Sequence, residues 1–155
     1  MLTSLEQSAF STWLLGSNSI WAYPTVLTLH TFGMMVLVGA ALMIDLRLLG
    51  FARAIPLQSM QRLFRLMWAA FALNAVTGTM LFIADASKRG PELIFWVKLA
   101  LVAVGLVTAV MIRRRNFQGE TEAVVISSGA RGLAVVSLLA WSAAITAGRL
   151  LAYVG

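Results

Sequence analysis

The chain of 155 residues has no cysteine and a single histidine, His30. Without thiols there is no disulfide framework, no thiolate metal site and no cysteine nucleophile. One imidazole is also a poor start for a zinc or copper centre, which needs several nitrogen, sulfur or carboxylate ligands. Charge is scarce as well: 12% of residues are charged and 60% hydrophobic, whereas a soluble domain carries roughly a quarter charged residues. The long apolar runs hold no paired carboxylates, no Ser, His and Asp set on suitable elements and no phosphate-binding glycine loop, so no motif specifies a reaction. The N-terminal stretch MLTSLEQSAF lacks a basic region and does not read as a cleavable signal peptide.

What remains is apolar. A mean hydropathy of +0.87 identifies an integral membrane protein, and the length suits one membrane domain over residues 1–155 with little mass outside the lipid bilayer. The net charge of +6 and pI of about 11.2 do not point to nucleic acid, because the basic residues cluster at the ends of apolar runs, as topology signals do. Residues 1–18 are expected to form a short interfacial helix, with Leu2, Leu5, Ala9, Phe10 and Trp13 near one side. Spans are expected over about 22–49, 60–86, 91–113 and 130–154, each long enough for a hydrocarbon core of roughly 30 Å. Gly90 and Pro91 are expected to stop one helix and start the next, with Pro91 in its first turn and Glu92 at the positive end of its dipole. The fold class is therefore all-α, a four-helix membrane bundle, since runs this long and apolar are unsuited to barrel strands.

Arginines set an expected orientation. The first and third connections hold Arg47, Arg53, Arg62, Arg65, Arg113, Arg114, Arg115 and Arg131, and the second only Lys88 and Arg89. The positive-inside rule makes the arginine-rich loops cytoplasmic, with both termini outside a bacterial inner membrane. Asp45 with Arg47 reads as an ion pair at the end of the first span. Small residues every four positions, Ala140, Ala144 and Gly148 on one helix and Ala70, Asn74 and Gly78 on another, read as packing seams.

Against that apolar background, polar groups from all four spans fall at similar depth. At about 1.5 Å per residue, His30, Lys98 and Arg149 lie roughly 8 to 10 Å below the outer surface, with Asn74 and Thr77 at or just below them. Long cationic side chains can snorkel to the interface, and Asn or Thr can bond to a neighbouring backbone. An ionisable group inside a membrane is nonetheless a functional candidate. Gly33, one turn from His30 on the same face, leaves a groove beside the imidazole in which a flat macrocycle fits, with the ring nitrogen on its iron. This reading assigns b-type haem with His30 as axial ligand, Lys98 and Arg149 as propionate partners, and Asn74 and Thr77 as supporting groups. A second axial bond then comes from a symmetry mate in a homo-oligomer, from a methionine such as Met80, from water, or is left open.

The runs WLLGSNSIWAYPTVLTLH, DLRLLG, WAAFALNAVTGTMLF, FWVKLAL and AGRLLAY resemble an uncharacterised family of small bacterial four-helix membrane proteins (DUF6644-like), a likeness that implies a fold and no activity. More distantly, His30 with Phe95 and Lys98 is similar to the copper-resistance D membrane domain and the membrane-bound protoporphyrinogen oxidase, which implies work with haem. The expected function is a small haem protein for electron transfer or redox sensing, with a redox partner or quinone. The alternatives are a haem-free carrier or binding module for a small anion, lipid or quinone, and a structural partner subunit of a membrane complex.

Overall fold

Helix boundaries fall where the backbone can no longer continue. In the computed structural model, which describes residues 7–9, 11, 13, 21–51, 53–117 and 128–154, helix α1 spans Ala22–Leu49 and stops at Gly50. Gly50 takes φ 97°, a conformation that only glycine adopts without strain. The turn lets the Gly50 and Phe51 N–H groups bond back to the Arg47 and Leu46 carbonyls, satisfying acceptors that the helix end leaves open. Pro56 precedes α2, Leu57–Ala84, in the extended conformation that a helix start tolerates. Asp85 ends α2, and a four-residue turn α3, Ala86–Arg89, leads to α4, Leu93–Asn116, and finally α5, Ser128–Val154.

Four of these helices are long and apolar enough to cross a membrane, as expected, and the bounds agree to within a few residues. The second starts earlier than expected because Pro56 itself caps it. The fourth helix begins at Leu93 and not at Pro91: Glu92 is extended, the Glu92 N–H bonds to the Arg89 carbonyl, and the Trp96 indole donates to the Gly90 carbonyl at 3.0 Å. The expected interfacial helix over 1–18 lies mostly outside the described residues.

The helices run up and down in turn. The pairs α1 with α2 and α4 with α5 pack most extensively, and α1 with α5 joins the two pairs. The backbones of α2 and α4 stay further apart, and aromatic side chains bridge them near both ends: Phe64 meets Phe117 edge-on at 5.3 Å, and Phe82 stacks on Phe95 at 5.0 Å. At the His30 end, Arg89 holds Asp85 and Glu92 and also donates to the Leu151 carbonyl of α5.

The apolar core comes in two pieces. The larger surrounds Leu48, Met60, Phe64, Met67, Ile112 and Trp141 toward the arginine-rich end. The smaller joins Val26 and Ala84 at the opposite end. Between them lie the polar residues His30, Asn74, Thr77 and Lys98, beside the buried alanines Ala144 and Ala147 of α5. Glycine admits a large side chain between α4 and α5: a Cβ on Gly105 would stand 2.7 Å from Trp141 Cε2, so the indole lies directly on the α4 backbone.

Candidate functional site

The polar layer is built from the buried stripes of the helices. On α1 the stripe runs through Val26, Gly33, Leu37, Ala41 and Leu48, and His30 takes the place on it one turn from either Val26 or Gly33. On α2 the corresponding places are Ala70, Asn74, Thr77 and Ala84. The pairing of these stripes brings His30 Nδ1 to 2.9 Å from Thr77 Oγ1. No side chain intervenes at Gly78, where an added Cβ would stand 3.1 Å from His30 Cε1. That seam position therefore receives the imidazole as well as allowing approach.

Thr77 Oγ1 also lies 2.8 Å from the Leu73 carbonyl, with a longer approach to the Asn74 carbonyl. When its one hydroxyl proton goes to Leu73, Thr77 Oγ1 accepts from His30; the ring proton is then on Nδ1 and Nε2 carries the free lone pair. The free nitrogen is the one available to a metal or to a donor on a ligand.

Asn74 donates from Nδ2 to the Ala70 carbonyl at 3.2 Å, while its Oδ1 is buried with no partner among the described residues. Its amide also fills the space beside Gly33, where a Cβ would be 2.8 Å from Asn74 Nδ2 and 3.3 Å from Leu73 Cδ2. The groove expected at Gly33 is thus taken up by α2, because that face of α1 is the face on which α2 packs.

Lys98 approaches from α4. Its stem lies along Gly148 of α5, with an added Cβ there 3.4 Å from Lys98 Cε and 3.5 Å from Nζ, and its ammonium is within electrostatic reach of the imidazole. Among the described residues no hydrogen bond or ion pair reaches that ammonium. Arg149 is not part of the gathering. It is exposed, because one residue beyond Gly148 turns a helical side chain through about 100° and off the interior stripe. His30, Asn74, Thr77 and Lys98 are brought together; Gly33 borders them behind Asn74. Met80 is half-buried against the smaller apolar cluster.

Asp45 is the residue that sequence reasoning misplaced. It is 1% exposed, with Ser137 of α5 against it and its Oδ2 without a partner among the described residues. Arg47 does not pair with it and donates instead to the Ile55 carbonyl at 2.8 Å. The available signal was spacing: Asp45 follows Ala41 by one turn and precedes Leu48 by nearly one, which puts it on the interior stripe.

The fold and the layer define a four-helix membrane protein with a polar interior site near one end. The chain matches, over residues 13–154, the family described as "Family of unknown function (DUF6644)", and it belongs to that family. No curated protein and no solved structure matches it.

Proposed function

We propose that the chain is a small membrane haem protein in which His30 Nε2 is an axial ligand of b-type haem. The observation that carries the reading is the His30–Thr77 hydrogen bond at 2.9 Å. Haem ligands and other metal-binding histidines characteristically give their second ring proton to a fixed acceptor, which sets the ring and raises the basicity of the ligating nitrogen. One further feature fits such a guest: Lys98 supplies an ammonium with no hydrogen-bond or ion-pair partner among the described residues, suited to a propionate. Arg149 and the Gly33 groove add nothing to the site in this arrangement, and one imidazole per chain leaves the second axial position to a symmetry mate, a methionine, water or a small ligand.

When bound, haem supplies one-electron chemistry; the residues orient it and neutralise its charged edge. By the charge rule the arginine-rich end is placed in the cytoplasm and the site in the outer leaflet of a bacterial inner membrane, where a redox partner or quinone would exchange electrons with it. The test is the visible spectrum of protein purified after expression with ample haem. A Soret band that is lost or shifted in His30→Ala is expected, and Thr77→Val lowers haem retention by about 10- to 100-fold. Colourless wild-type protein, or an unchanged spectrum in His30→Ala, overturns the reading.

A second reading rests on the same unpaired ammonium. A haem-free site offering a donor at Lys98 and a lone pair at His30 Nε2 suits a quinone, a lipid or a small anion. It is distinguished by colourless protein whose binding of a quinone analogue weakens in both Lys98→Gln and His30→Ala.

A further inference from the structure

The arginines at the opposite end divide into two groups. Arg47 and Arg53 are engaged by their own loop, donating to the Ile55 and Gly50 carbonyls at 2.8 and 2.9 Å. Arg62, Arg65, Arg113 and Arg114 are exposed, and among the described residues none has an ion-pair or hydrogen-bond partner. Arg62 and Arg65 lie on the first turns of α2 and Arg113 and Arg114 on the last turns of α4, the two helices whose backbones stand apart. The gap between them holds two adjoining recesses of about 420 and 460 Å³ that share Arg113 and Phe117, against roughly 30 Å³ for a water molecule.

The walls of these recesses are segregated along the membrane normal. Guanidiniums line the rim, while Trp68 and Val110, each about a turn further into the bundle, line the apolar part. Among the described residues no exposed carboxylate stands at this end: Asp45 is buried, and Asp85 and Glu92 are at the other. Glu120 and Glu122 fall in the connector outside the described residues. Arginines that act only as topology signals need neither a shared cavity nor an apolar floor. A planar guanidinium fork binds phosphate oxygens in pairs, and basic pockets between membrane helices suit anionic headgroups.

We propose that the crevice between the start of α2 and the end of α4 is a binding site for the phosphate headgroup of an anionic phospholipid, with its acyl chains passing Trp68 and Val110. Arg62 and Arg65 of α2 meet Arg113 of α4 around one recess, Arg113 and Arg114 rim the adjoining one that holds Trp68 and Val110, and the bound lipid fills the space that the two backbones leave. The lipid is therefore a packing element between α2 and α4 as well as a ligand.

The test uses the full chain, delipidated in a neutral detergent and titrated with phosphatidylglycerol, phosphatidylcholine or inorganic phosphate, with retained lipid read by native mass spectrometry and the thermal midpoint by circular dichroism. Phosphatidylglycerol is expected to be retained and to raise the midpoint, and the other two probes are not. Each neutralised arginine should weaken retention about fivefold, so Arg113→Gln with Arg114→Gln should weaken it by about 25-fold. Arg115→Gln with Arg131→Gln, at the same end but outside the recesses, should not weaken it. Arg113→Lys with Arg114→Lys preserves charge and topology if the glutamine variant fails to fold, and it too should lose retention because the fork is gone. Equal retention of phosphatidylcholine, equal retention by the lysine variant, or an equal midpoint rise with inorganic phosphate alone overturns the proposal.

Discussion

Replacing Gly105 by alanine probes the shortest glycine contact among the described residues. The new Cβ would meet Trp141 Cε2, Cζ2 and Nε1 at 2.7, 2.9 and 3.0 Å, whereas carbon atoms are most stable at about 3.5–4.0 Å. The indole is 4% exposed and rigid, so either it or the α4 backbone must retreat by close to 1 Å. Overpacking of this kind costs about 1–3 kcal/mol, and removing glycine from a helix interior returns about 1 kcal/mol. The expected net loss is about 0–2 kcal/mol. Trp141→Phe removes the part of the ring that clashes and also a buried indole N–H with no partner among the described residues. The double variant should therefore be more stable than the sum of the single effects by at least about 1 kcal/mol. Equilibrium unfolding in mixed micelles, followed by circular dichroism, measures all four corners of the cycle. A coupling energy within about 0.5 kcal/mol of zero, or a stabilised Gly105→Ala, would refute the account of this contact.

Other substitutions separate positions that look alike in sequence. Gly148→Ala meets the Lys98 stem only at 3.4 Å and should be neutral or up to about 1 kcal/mol stabilising, whereas Gly33→Ala collides with Asn74 and should break its bond to the Ala70 carbonyl, seen as a destabilisation that Asn74→Ala suppresses. Asp45→Asn keeps a hydrogen-bonding group against Ser137 and should cost less than about 1 kcal/mol, while Asp45→Ala strands the serine hydroxyl and should cost about 1–3 kcal/mol in the same unfolding assay. Arg89→Gln releases the Leu151 carbonyl and should speed amide exchange in the last turn of α5, read by mass spectrometry; unchanged exchange there would mean that the contact carries no load.

Spans and turns were legible because their causes are local. Four uninterrupted apolar runs have few alternatives to membrane helices, and Gly50, Pro56 and Gly90 mark breaks through backbone geometry alone. The common depth of His30, Thr77 and Lys98 was legible too, since it follows from counting residues along antiparallel helices. Rotation about the helix axis was not. A 28-residue α1 that is apolar almost all round carries little periodic signal, and one position decides whether a side chain enters the bundle, as Gly148 and Arg149 demonstrate. Asp45 was misread because its neighbour Arg47 offered a simple ion pair, while the competing demand, the Ile55 carbonyl of the following loop, depends on a turn that composition does not specify. The filling of the Gly33 groove required knowing which helix lies beside α1.

The division of the core into a large and a small cluster has a mechanical consequence. The four spans are gripped firmly at one end, and at the other mainly by the Arg89 linkage and the Phe82–Phe95 stack. Such an assembly should behave like tongs with a stiff spring: displacement grows with distance from the grip, so the layer of His30 and Lys98, between the grip and the tips, should yield more than the base. A thinner or thicker bilayer, by pressing on those tips, alters the mouth of the site before it disturbs the base.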